Sequence, residues 1–223
     1  MNKQRIKEAR NLFSSWGRLN QARQEVVLKY AGWKILDVGC ATGEYVYWLR
    51  RKGYEAHGLD LLSSPEWEGP ERQFLQVGDV LHLPYPDKSF ETVLLFEVLE
   101  HLENPEKALA EAGRVARKNV IISVPDARVD PLFKEAGLIF FHWVDRSHVQ
   151  FFTAESLEEM LKRSGFEIKL IKRINPVYPE IIFFDNCRLP PPLTKILLKV
   201  TRNLPFRKKH YMTLLVVAEK RNS

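Results

Sequence analysis

Hydrophobic positions along the 223 residues fall into short apolar runs separated by longer amphipathic stretches. Ile35, Leu36 and Val38 form a run suited to a central parallel strand, whose two faces are both covered. Further runs near 54–59, 73–77, 91–96 and 119–124 predict four more strands, and 166–171 and 213–218 a sixth and a seventh. Helical periodicity lies between them, near 43–52 and 104–117, with Asn104 as N-cap and Pro105 at the first helical position. Thr153 to Gly165 reads as a capped helix closed by a glycine. Residues 3–30 also read as helical, with Ile6, Phe13, Trp16, Val26 and Val27 available for a buried face. Such alternation predicts an α/β fold, a doubly wound and mostly parallel sheet with helices on both faces.

The turn after the first strand carries the chemistry. Gly39 and Gly43 bracket a tight loop, Gly39-Cys40-Ala41-Thr42-Gly43, in which no Cβ keeps a ligand from the backbone. The first N–H groups of the following helix face that loop. Asp60 ends the second apolar run, 21 positions after Gly39. A carboxylate there can accept both hydroxyls of a ribose. A dinucleotide site would show G-x-G-x-x-G with a pyrophosphate on the helix N-terminus. Here one glycine is missing, Asp37 precedes the loop, and Glu44 occupies the first helical turn, where a phosphate would sit. These features favour a cationic nucleoside ligand and count against an oxidoreductase reading.

With Asp37-x-Gly39-x-x-x-Gly43 as the first of four ordered motifs, the chain resembles the class I S-adenosylmethionine-dependent methyltransferases. The others are Val77-Gly-Asp79-Val80, the turn Leu83-Pro-Tyr-Pro-Asp-Lys-Ser-Phe-Glu91, and Glu97-Val-Leu-Glu-His101, which resemble the type 11 branch. The likeness covers about residues 30–172 and departs at Ala41 (glycine in the family) and at Glu91 (aspartate), the latter without an expected functional consequence. It implies a Rossmann-like, seven-stranded sheet with an antiparallel last strand. It implies S-adenosylmethionine as cofactor and S-adenosylhomocysteine as product. Asp37, Gly39, Cys40, Ala41 and Gly43 would hold the methionine side, Asp60 and Leu61 the ribose, and Asp79 and Val80 the adenine. Phe96 and Glu97 would border the sulfonium. The implied organisation is a helical cap over 1–30 and a methyltransferase domain over 31–223. That domain would carry a loop-rich substrate-side segment at 125–152 and a basic helical insertion at 176–210.

The acceptor is less constrained. An oxygen acceptor needs its proton removed, and His101, His142, Asp145 and His148 are candidate bases; His101 and His148 are assigned the catalytic role, against a structural role in tying their loop down. Glu97, Glu100 and His101 have i, i+3, i+4 spacing, which a helix would put on one face. With His148 they offer a divalent-metal set, and the pattern resembles small-RNA 2′-O-methyltransferases. The same stretch is widespread in the type 11 branch, so no metal ligand is assigned and a divalent metal is not favoured. The expected reaction is O-methylation of a small or lipid-like, anionic metabolite. The alternatives are a metal-assisted RNA 2′-O-methyltransferase and a non-catalytic cofactor-binding scaffold. Phe140 to Trp143 offer an apolar lining, and Asn175-Pro176 is read as a loop signal.

Charge adds a further constraint. The net charge is +6, but residues 1–30 hold seven Lys/Arg against two acids and residues 186–223 nine against one, leaving an acidic centre. An acidic core suits a sulfonium. Leu193, Ile196, Leu197, Val200 and Leu204 make one helical stripe flanked by Lys195, Lys199 and Arg202, followed by Arg207, Lys208 and Lys209. Such a helix either packs with a solvated basic edge, or meets an anionic acceptor, RNA included, or a peripheral membrane surface. Cys40 and Cys187 show no metal spacing, no apolar run approaches the roughly 18 residues of a membrane span, and the N-terminus lacks a signal-peptide core. A cytoplasmic location is expected, and no oligomeric state is assigned.

Overall fold

The computed structural model describes residues 19–128, 145, 147–177, 190–202 and 210–221. Its elements are α1 (Gln21–Tyr30), β1 (Lys34–Val38), α2 (Glu44–Arg51), β2 (Glu55–Asp60), β3 (Leu75–Val77), β4 (Phe90–Phe96), α3 (Pro105–Val115), β5 (Ala116–Pro125), α4 (Ala154–Arg163), β6 (Phe166–Val177), α5 (Pro191–Arg202) and β7 (His210–Lys220). The seven strands form one sheet in the order β3-β2-β1-β4-β5-β7-β6. Six run parallel, and β7 is antiparallel to both its neighbours, β5 and β6.

Alternation along each strand divides the core into two layers. Leu36, Val38, Val93 and Leu95 pack toward Ala108, Leu109 and Ala112 of α3 and Leu157 and Leu161 of α4. Ile35, Leu94 and Ile121 pack toward Val26 and Val27 of α1 and Val46 and Leu49 of α2. The sheet is therefore covered on both faces, as an all-apolar parallel centre requires. Thr153 caps α4 through Ser156 in a reciprocal capping box, and Gly165 follows with φ 82°. Asn104 caps α3 with Pro105 at its first position.

Strand boundaries depart from the sequence reading at β5, β6 and β7, the last running from His210 to Lys220 against an apolar run of 213–218. Ala116 takes an extended backbone directly at the end of α3, so β5 begins three residues earlier than its apolar run. Asn175-Pro176, read as a loop, lies inside β6. Asn175 takes a left-handed φ of 57°, donates to Thr213 Oγ1 (2.9 Å) and accepts from Asn20 Nδ2 (2.7 Å). Asparagine tolerates that conformation, and proline is tolerated because β6 is an edge strand.

Glu91 also finds its reason here. Its carboxylate accepts from the Trp33 and Lys34 backbone N–H groups and pairs with Arg117. It sits at the N-terminal end of β4, opposite the end that carries the cofactor loop.

On α5, Leu193, Ile196 and Val200 are exposed, and Lys195 and Lys199 are exposed beside them. No described helix is long and apolar enough to cross a membrane. The segment with Phe140–Trp143 and His142, Cys187, Leu204 with the following basic run, and the start of the N-terminal cap lie outside the described residues.

Candidate active site

β1 delivers the chain into the loop, and two left-handed glycines shape it: Gly39 at φ 76° and Gly43 at φ 83°. A Cβ on Gly39 would come within 2.5 Å of Val98 Cγ2, so the loop also packs against the segment after β4. Cys40 is buried there. Ala41 is left-handed too, at φ 46°. Its N–H donates to Asp60 Oδ2 (2.8 Å) and its carbonyl accepts from Trp67 Nε1 (2.7 Å). Gly43 caps α2 without a side chain, and Glu44 follows with its Oε2 buried and unpartnered.

The predicted cofactor residues line up along the C-terminal ends of β1, β2 and β3. Asp60 is buried and also accepts from Leu62 N–H (3.1 Å). Leu61 follows it at the rim, half-buried. The Asp60 carbonyl accepts from Gly78 N–H (2.8 Å), which ties the second strand end to the third. Asp79 Oδ1 accepts from Leu81 N–H (2.9 Å) while the side chain stays partly exposed, and Val80 is buried. Asp37 lies beneath the loop, 3% exposed. Burial, reinforced by Asp60 and opposed by Arg23, pushes its carboxyl up to about 8.

Arg23 is the site residue that sequence reasoning missed. It comes from α1, whose N-cap Asn20 is fixed from both sides: its N–H donates to the Tyr45 hydroxyl (3.0 Å) and its side chain bonds Asn175. The buried guanidinium lies 5.2 Å from the Phe96 ring centroid, pairs with Glu97, and leaves its Nε without a hydrogen-bond partner among the described residues. Tyr45 packs on Phe96 at 4.9 Å between centroids. No local motif marks Arg23; the one available signal was a basic residue three positions after an N-cap on a helix otherwise facing the core.

The segment after β4 corrects a second expectation. Glu97 is not on a helix. It has φ 55°, and only Leu99–His101 form a single 3₁₀ turn. Glu97 therefore points to Arg23 and to the Ser123 hydroxyl, which donates to it at 2.9 Å. Glu100 turns inward instead and meets His101 and His148, with one ligand-type atom from each lying within 4.8 Å of the others. The Glu100 carbonyl draws in the later loop by accepting from Val149 N–H (2.8 Å) and Gln150 N–H (3.1 Å). The two imidazoles lie 4.9 Å apart between ring centroids. Burial, then Glu97, pushes the Glu100 carboxyl well above its usual range. Burial, then His148, lowers His101, so its imidazole is neutral near pH 7.

Taken together, acids mark the C-terminal ends of β1 and β2 and the turn after β3, and a histidine pair joins the segment after β4 to the later loop. The sequence matches the family described as a methyltransferase domain over residues 2–170. The chain belongs to that family. The chain is 32% identical over 106 residues to the methyltransferase GfsG of Streptomyces halstedii, which is 43% of this chain and 38% of the relative. It is 25% identical over 171 residues to the demethylmenaquinone methyltransferase of Thermotoga maritima, 65% of this chain and 74% of the relative. The first of these matches thus spans well under two thirds of the relative. In fold, the chain resembles an S-adenosylmethionine-dependent methyltransferase from Archaeoglobus fulgidus (TM-score 0.62, 19% identity, 89% of this chain and 92% of the other). It also resembles the 1,6-didemethyltoxoflavin-N1-methyltransferase of Burkholderia thailandensis, solved with S-adenosylhomocysteine (TM-score 0.61, 16% identity, 91% and 78%).

Proposed function

We propose that this chain transfers the methyl group of S-adenosylmethionine to an oxygen of a small or lipid-like, anionic metabolite. The observation that carries the cofactor half is the loop of Gly39 to Gly43 with Asp37 beneath it and Asp60 bonded to Ala41. Backbone N–H groups and carboxylates line this C-terminal edge of the sheet, with the Arg23 guanidinium at one end, which suits a ligand bearing a sulfonium and an amino-acid group. The loop would hold the methionine side, Asp60 and Leu61 the ribose, Asp79 and Val80 the adenine, and Phe96 and Glu97 the reacting end.

The transfer is an in-line displacement. The acceptor oxygen bonds the methyl carbon, the carbon–sulfur bond breaks, and its electron pair stays on sulfur as S-adenosylhomocysteine. Alignment supplies much of the rate. The acceptor's proton leaves toward the His101/His148 pair, of which His101 is held neutral and so able to accept it.

The relatives' names carry acceptors as different as demethylmenaquinone and norajmaline. The acceptor class is therefore argued from this chain alone. The basic α5, with its exposed apolar stripe, favours an acceptor that is anionic and partly apolar.

Calorimetric titration with S-adenosylhomocysteine tests the cofactor assignment. Saturable binding that Asp60→Ala abolishes is expected, with no binding of NADH. Absence of binding by folded protein would overturn the assignment. Screening anionic hydroxylated acceptors for S-adenosylhomocysteine release tests the acceptor. Turnover confined to nitrogen acceptors would reject the oxygen reading.

A further inference from the structure

We infer that Glu100, His101 and His148 form a binding site for a divalent first-row transition cation. Three observations converge. First, the carboxylate oxygen and the two imidazole nitrogens lie within 4.8 Å of one another, although 48 positions separate Glu100 from His148. Second, Glu100 is 1% exposed, and among the described residues neither carboxylate oxygen has a hydrogen-bond partner. A buried carboxylate without a donor costs several kcal/mol unless it is neutralised or coordinated. Third, His101 has the outer hydrogen-bond partner that metal-bound histidines characteristically have, and His148 has a carboxylate nearby. His101 Nδ1 lies 3.2 Å from the Ser147 carbonyl, which leaves Nε2 for a ligand, and His148 Nε2 lies 3.6 Å from Asp145 Oδ2. Asp145 is itself fixed by the Ser147 N–H (2.8 Å) and hydroxyl (2.6 Å).

The set differs from the one that spacing alone suggested, because Glu97 is engaged by Arg23 and Ser123 and does not join it. Two imidazoles and one carboxylate suit Mn²⁺, Fe²⁺, Co²⁺ or Zn²⁺ better than Mg²⁺ or Ca²⁺, which take oxygen ligands. Three protein ligands leave coordination positions open to further ligands. An ion here would replace the imidazoles in activating the acceptor, since they cannot both ligate it and accept a proton: as a Lewis acid on an acceptor oxygen it would make the hydroxyl easier to ionise, the proton passing to solvent water. Only that last role rests on the methyl-transfer reading; binding of the ion does not.

The test uses the full chain without a histidine tag, stripped with chelator and titrated with Co²⁺, followed by visible absorption and calorimetry. One equivalent is expected, with ligand-field bands that Glu100→Gln and His148→Ala each remove. Asp145→Asn is expected to weaken binding by roughly 10- to 100-fold. Titration of every variant with S-adenosylhomocysteine reports separately on folding and on the cofactor assignment. Absence of Co²⁺ binding by the unsubstituted protein overturns the inference whatever the variants do. So does binding that survives both Glu100→Gln and His148→Ala. In either case Glu100 is simply a neutral buried acid.

Discussion

Arg23 and Glu97 lie 74 positions apart and form an ion pair beside the Phe96 ring, joining α1 to the segment after β4. The pair closes one end of the acid-lined edge with a buried cation. The amino-acid end of the cofactor carries a carboxylate, and the unpartnered Arg23 Nε is a donor suited to it. Arg23→Ala is expected to weaken S-adenosylhomocysteine binding by roughly 10- to 100-fold, the equivalent of a hydrogen bond to a charged group. Binding of 5′-methylthioadenosine, which lacks the amino-acid end, should be nearly unchanged. Equal losses for both ligands would show that Arg23 only supports the fold.

Ala41 holds a left-handed backbone that a glycine would adopt without steric cost. An L-residue there is disfavoured by about 1–2 kcal/mol, partly offset because alanine restricts the unfolded chain. Ala41→Gly is therefore expected to stabilise the protein by about 0.5–1 kcal/mol net. Its melting temperature should rise by about 2–4 °C per kcal/mol for a chain of this size. The bonds to Asp60 and Trp67 are made by the Ala41 backbone, so cofactor affinity should be retained. A fall in melting temperature in a thermal scan would refute the strain argument.

These two residues also mark what the sequence could disclose. The Gly39–Gly43 loop, the acids at the ends of β1 and β2, and the caps of α3 and α4 were legible because each depends on neighbours within a few positions. Arg23 was not, because its role depends on Glu97 and, through Asn20, on Asn175, contacts set by the packing of α1 on the sheet. Glu97 was misplaced for a different reason. Spacing of i, i+3, i+4 cannot distinguish an α-helix from a 3₁₀ turn entered through a positive φ, yet the two send Glu97 and Glu100 in opposite directions. Asn175-Pro176 was read as a loop because the sequence did not disclose that β6 would be an edge strand, where proline is tolerated.

Asp37 makes cofactor binding pH-dependent. Its folded-state pKa near 8 lies above the usual 3.8, so it is mainly protonated at pH 7 in the free protein. A group shifted this way contributes stability that is complete below its unfolded pKa and lost as pH rises through the folded one. The free protein should therefore lose stability between about pH 4 and 8 through Asp37. A bound sulfonium and ammonium would favour the ionised carboxylate, so binding S-adenosylmethionine near pH 7 should release a proton. Calorimetry in buffers of different ionisation enthalpy reads that release directly, and Asp37→Asn should eliminate it. Binding enthalpies that do not vary with the buffer would mean Asp37 keeps its charge state.

The apolar stripe of α5 bears on the acceptor. Leu193, Ile196 and Val200 follow i, i+3, i+7 spacing, so their exposed side chains share one face, with Lys195 and Lys199 also exposed. Exposed apolar side chains with adjacent cations match the physics of an interfacial helix, in which shallow apolar insertion and attraction to anionic headgroups add together. If the acceptor is lipid-like, the same helix can bring the enzyme to it. Sedimentation with vesicles containing phosphatidylserine should recover the protein, with less recovery from phosphatidylcholine alone and a decline as salt rises through the physiological range. Ile196→Asp should weaken vesicle binding while leaving S-adenosylhomocysteine affinity intact, because α5 contributes none of the residues assigned to the cofactor. Recovery that is equal for both vesicle types, or insensitive to Ile196→Asp, would remove the membrane and leave a dissolved anionic acceptor as the reason for the basic helix.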